Sequence, residues 1–134
     1  MTLRALCEEL RASPGVRLKR EIAEIAAGLP HEGVARWSRG GSVRNGDDAA
    51  AIPDGDGFML LAAEGMLPSF VARDPWFAGY CSVMVNVSDI LAMGGRPYAV
   101  VDVLFSDGGE ARRALLAGMA AAAEQFGVPI VGGH

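Results

Sequence analysis

The segment from Asp74 to Gly95 constrains this chain more than any other. Asp74-Pro75 supplies an N-cap and a first-turn proline, and Gly94-Gly95 supplies a stop. The spacing predicts one long helix from Pro75 to about Met93. Met84, Val85, Val87, Ile90 and Leu91 make it apolar around most of its circumference, so it is expected to be buried. Across that surface Ser82, Asn86 and Asp89 recur at i, i+4 and i+7, which places them in one polar stripe. No Lys or Arg lies between Pro75 and Gly95. A buried carboxylate without a neighbouring cation must find one elsewhere, accept hydrogen bonds or stay protonated. Asp89 is therefore a candidate metal ligand facing a cleft. The plainer alternative is that it reaches solvent or caps a nearby backbone segment.

Around this helix the pattern alternates. Ala49–Ile52 and Phe58–Ala62 flank Pro53-Asp54-Gly55-Asp56-Gly57, the signature of a β-hairpin with a Gly-rich turn. Asp54 and Asp56 suit turn formation, since a calcium-loop register starting at Asp54 fails at Phe58 and Gly65. Pro97–Phe105 is β-rich, Glu110–Phe126 is an Ala-rich helix stopped by Gly127, and Val128–Val131 is a last short strand. The order ββαβαβ predicts an α+β domain: a mixed sheet of about four strands with helices on one face.

Ahead of it, Thr2–Arg11 has helical spacing with Thr2 as N-cap, and Ser13-Pro14-Gly15 breaks it. A second amphipathic helix is expected from about Val16 to Leu29. Residues 30–46 suit a loop whose Arg36, Arg39 and Arg44 make either a phosphate-contacting arm or a solvated linker. The domains expected are thus 1–44, helices and linker, and 45–134, the α+β domain. A domain rarely stops at a Gly-Gly pair followed by one residue, so the chain is expected to be cut from something longer.

Charge narrows the function. Residues 1–44 carry a balance of +3 and residues 45–134 one of −7, which disfavours a nucleic-acid binder with a strongly basic face. The carboxylates gather in the apolar, Gly-rich part, where they make either a metal site or an ordinary acidic surface. Cys7 and Cys81 are far apart and without CxxC spacing, so neither zinc nor a disulfide framework is indicated. The longest uncharged stretch, between Asp74 and Asp89, falls short of the ~20 residues that span a bilayer. Arg4, Glu8 and Glu9 interrupt any signal-peptide core, so a cytoplasmic protein is expected. There is no GxxxxGK[ST] loop and no GxGxxG between strand and helix. With His31 and His134 the only histidines, nucleophilic catalysis has no visible basis.

Other candidates lie at strand ends. Asn45-Gly46-Asp47-Asp48 places adjacent carboxylates before the first strand, and alternation would send at most one of them toward Asp89. Glu64 is expected to close the second strand. Gly132-Gly133-His134 offers a turn of close-approach backbone and an imidazole, although a lone terminal His more often frays.

Together, Asn45-Gly46-Asp47-Asp48-Ala49-Ala50, the run Asn86-Val87-Ser88-Asp89-Ile90-Leu91-Ala92-Met93-Gly94-Gly95-Arg96-Pro97 and Gly132-Gly133-His134 resemble the N-terminal domain of the aminoimidazole-ribonucleotide-synthetase superfamily. That superfamily includes selenophosphate synthetase, thiamine-monophosphate kinase and a hydrogenase-maturation protein. The resemblance covers roughly residues 45–134 in order and spacing. It implies an ATP-binding α+β domain, two of which pair as a homodimer into a β-barrel with Mg-ATP near the interface. It further implies an ATP-dependent phosphotransferase or synthetase that phosphorylates or activates a small molecule. By position, Asp47, Asp48, Asn86, Asp89, Gly132 and Gly133 match the cofactor site, and Asp47, Asp48, Glu64 and Asp89 the metal site. Mg²⁺ takes few protein carboxylates and completes its shell with phosphates and water, which suits scattered acids.

The chain departs from the family pattern at three places. Ala63-Glu64 stands where relatives carry Thr-Asp, which reshapes the site. The reactive Cys or selenocysteine with Lys of selenophosphate synthetases has no counterpart, and no second domain follows His134. An uncharacterised branch of the superfamily fits better than any named enzyme. The alternative is a non-catalytic dimerisation domain that has lost nucleotide chemistry.

Overall fold

The computed structural model describes residues 1–17, 25, 28, 47–106 and 108–134. Most of the expected helix Val16–Leu29, the loop 30–46 with its three arginines, and Asn45 and Gly46 lie outside the described residues. The chain divides into two compact units, Met1–Met59 and Leu60–His134.

The first unit opens with helix α1, Leu3–Ala12. Thr2 caps it as expected, its side chain accepting from the Ala5 N–H at 3.2 Å. Arg4 pairs with Glu8 one turn on, at 3.2 Å, an exposed pair of small energetic weight. No residue of α1 is buried. Residues 14–17 are also helical. Strand β1, Ala50–Asp54, pairs with β2, Gly57–Leu61, across the turn Gly55–Asp56, so Asp56 is a turn residue as expected while Asp54 is the last residue of β1.

The second unit holds the core. A short helix α2, Pro68–Arg73, was not expected: six residues give no usable periodicity. It leads into α3, Pro75–Ala92, whose N-cap Asp74 accepts from the Phe77 N–H at 3.0 Å. The other end closes as a Schellman motif, Gly95 N–H to Ile90 C=O and Gly94 N–H to Leu91 C=O, each 2.9 Å, with Gly94 at φ 74°. Strand β3, Val100–Asp102, then leads to helix α4, Gly109–Phe126, and strand β4, Ile130–Gly133. Because Asp74 satisfies an orphan N–H at the head of the principal core helix, Asp74→Ala should cost about 1 kcal/mol, read as a lower urea midpoint.

Helices α3 and α4 pack against each other at two glycines. A Cβ on Gly118 would run into the Trp76 carbonyl oxygen, with Tyr80 N at 2.8 Å. One on Gly79 would run into the Leu115 carbonyl oxygen, with Leu115 C at 2.8 Å. Over this crossing Val83, Val87, Leu115, Met119, Ala122 and Val128 form the core, backed by Val100, Leu104 and Ile130 from the strand side. Contrary to the expectation of a fully buried helix, α3 buries only Ala78, Gly79, Val83 and Val87. The face toward α4 takes those four, and Trp76, Phe77 and Leu91 remain exposed.

Among the described residues the expected single sheet of about four strands is not present. The strands form two separate two-stranded sheets, β1–β2 and β3–β4, the latter parallel. Nor do the described residues form a closed barrel, which takes about eight strands when small where they supply four. Strand β3 is shorter than Pro97–Phe105, and β4 begins two residues late because Val128 is drawn into the core at the end of α4. Among the described residues no helix is long and apolar enough to cross a membrane.

Candidate functional site

Asp89 lies two turns after Ser82 on α3 and is half-buried. The three stripe residues have different fates. The Ser82 hydroxyl donates to Gly79 C=O at 2.8 Å, and Asn86 Nδ2 donates to Ser82 C=O at 2.8 Å, so both are tied to the backbone of their own helix. Asn86 Oδ1 is buried with no hydrogen-bond partner, which leaves one open acceptor three residues, and hence one helical step, before Asp89.

No described ion pair neutralises Asp89. The ion pairs among the described residues are Arg4–Glu8 and Arg113–Glu110, both exposed, and neither engages Asp89. The arginines that bracket α3 in sequence face aromatic rings instead: Arg73 lies 5.7 Å from the Phe70 ring centroid and Arg96 5.7 Å from that of Tyr98.

The other sequence candidates are placed as follows. Asp47 and Asp48 belong to the first unit and are exposed in a bend before β1, with the Asp48 N–H donating to Asp47 Oδ1 at 3.0 Å. Glu64 is exposed and sits three residues beyond the end of β2 rather than closing it. Gly132 and Gly133 are strand residues of β4 paired with Val101 and Asp102, not a turn. His134 does not fray: its N–H donates to Asp102 C=O and its C=O accepts from Leu104 N–H, both 2.9 Å. Groups of neighbouring residues in a strand alternate between its two edges, so the Gly133 N–H faces the edge of β4 away from β3. Among the described residues no three His, Cys, Asp or Glu side chains gather into a preformed metal cage.

One carboxylate escaped the sequence reading. Asp102 is half-buried at the carboxyl end of β3, and its carboxylate contacts Gly133 so closely that a Cβ there would collide with it. The signal was available: alternation along Val100, Asp102 and Leu104 places an acid on the face whose other two members pack on the core.

Comparison with known proteins gives a consistent picture. An uncharacterised protein of Synechocystis is 54% identical over 127 residues, covering 94% of this chain and 38% of that protein. The selenide, water dikinase of Sulfurimonas denitrificans is 33% identical over 92 residues, 66% of this chain and 26% of the dikinase. The phosphoribosylformylglycinamidine synthase subunit PurL of Halobacterium salinarum is 29% identical over 102 residues, 68% of this chain and 14% of the synthase subunit. The chain therefore spans well under half the length of these relatives. No solved structure matches it. Residues 46–134 match the family of the AIR synthase related protein, N-terminal domain, and the chain belongs to it.

Proposed function

We propose that residues 45–134 bind Mg-ATP as the N-terminal part of an ATP-dependent phosphotransferase or synthetase that phosphorylates or activates a small molecule. The observation that carries this reading is Asp89: a half-buried carboxylate on a helix without Lys or Arg, one step from the unpartnered Asn86 Oδ1. Two of the relatives, by name a dikinase and a synthase, support the reaction class.

The residues present fit a magnesium nucleotide. The donors are all hard oxygens, and Gly132 has open space where a Cβ would stand. Within the second unit Glu64 and Asp89 are the residues that would hold the ion, and Asn86, Gly132 and Gly133 those that would meet the nucleotide; Asp47 and Asp48 are candidates by family position alone. Bound magnesium would supply neutralisation of phosphate charge, the main demand of phosphoryl transfer. The Gly133 N–H, on the edge away from β3, is a donor for a phosphate oxygen.

A homodimer is part of the proposal. Val101, Val103 and Phe105 alternate along one face of the β3 segment, and Val131 is exposed beside them on β4. They are 70%, 68%, 90% and 63% exposed, while Val100 and Leu104 on the opposite face pack on the core. An apolar row of this kind suits the matching sheet of a second copy.

Calorimetry with Mg²⁺ and a non-hydrolysable ATP analogue, alongside light scattering, tests both parts. The expected result is the mass of a dimer and a heat of binding that requires metal and analogue together. A dimer that gives no heat would overturn the nucleotide reading and favour the non-catalytic dimerisation domain.

A further inference from the structure

Strands β3 and β4 run parallel, so their carboxyl ends lie side by side, the edge at which open parallel sheets commonly present ligands. Asp102 ends β3 and Gly133 ends β4, and the two are register partners. The Asp102 carboxylate lies against Gly133, with its Cγ 2.8 Å from the position a Cβ would take. Neither ion pair among the described residues involves Asp102.

A phosphate at the Gly133 N–H, on the edge of β4 away from β3, would have this carboxylate as its neighbour across the residue. Two anions so close repel, and a cation between them, or a proton on the acid, makes the arrangement favourable. We propose that Asp102 is a further metal-binding carboxylate, reaching, directly or through a coordinated water, a divalent cation that joins it to the phosphates of a nucleotide held at Gly132-Gly133. The carboxylate approaches the metal from inside the second unit, on the helix side of the β3–β4 sheet. A Cβ at Gly133 would strike the Asp102 backbone carbonyl oxygen as well as its carboxylate, so glycine is what lets the carboxylate lie there.

Because this assignment rests on the Mg-ATP reading, its test carries a wild-type arm. Mn²⁺ serves as a paramagnetic probe in place of Mg²⁺, titrated into the full chain with and without a non-hydrolysable ATP analogue. Asp102→Asn should weaken Mn²⁺ binding to the protein–analogue complex at least tenfold. Metal-free analogue should bind the variant as well as wild type or more tightly, since a negative charge has been removed. Unchanged Mn²⁺ affinity, or an equal loss with and without metal, would assign Asp102 a purely structural role and overturn the proposal. Should Asp102→Asn lose the wild-type circular dichroism, Asp102→Ser carries the same test. Wild-type protein that binds neither probe would defeat the Mg-ATP reading itself, and this assignment with it. Wild-type binding with an indifferent variant defeats only the assignment.

Discussion

Gly118→Ala is expected to lower stability by about 3 kcal/mol, against the usual sign of that change. In an open helical position Gly→Ala stabilises by about 1 kcal/mol, because alanine loses less backbone entropy and shields the helix. At Gly118 the added methyl group would meet the Trp76 carbonyl oxygen and the Tyr80 amide of α3, both backbone atoms that cannot rotate aside. The helices must then separate, which loosens Val83, Val87, Leu115, Met119 and Ala122 together. Overpacking costs about 1–3 kcal/mol, and an obstacle of backbone belongs at the upper end. Urea denaturation of Gly118→Ala beside Ala117→Gly, its exposed neighbour in α4, separates packing from propensity. The second change should cost only about 1 kcal/mol. A Gly118→Ala variant as stable as wild type would mean that the two helices do not cross at contact distance.

Asp89→Asn should weaken metal-dependent binding of the ATP analogue at least tenfold while leaving the fold intact. Asparagine keeps the shape of the side chain and removes the charge, so an effect on metal dependence isolates electrostatics from packing. Asp89 is half-buried, and no described ion pair depends on it, so the urea midpoint should move little. Asp54→Asn, at the exposed end of β1, should bind like wild type. Normal metal-dependent binding by Asp89→Asn would remove Asp89 from the site.

The two substitutions probe features of unequal legibility. The stripe that holds Asp89 follows from helical spacing, and the helix itself from an N-cap, a proline and two glycines. Each of those signals acts within a few residues of where it is written. The crossing at Gly79 and Gly118 leaves no such trace, because a glycine inside a helix looks the same whether it faces solvent or another backbone. Asp102 is an intermediate case. Its face was readable from alternation, but its contact with Gly133 depends on a parallel register between strands separated by all of α4.

Sheet pairing shows the same division. Two strands and a turn with Gly55 in a left-handed conformation made the β1–β2 hairpin readable, since its ends are neighbours in sequence. Whether that hairpin joins β3 and β4 is a question of partners far apart, and the answer is two sheets rather than one. Likewise, the apolar residues of α3 were all visible, yet only the crossing with α4 selects which of them are buried. Caps, turns and stripes are local bargains between a side chain and the backbone beside it, and amino-acid order suffices to specify them. Close approach, strand register and the choice of buried face are settled between distant segments, where the shape of one element becomes the environment of another.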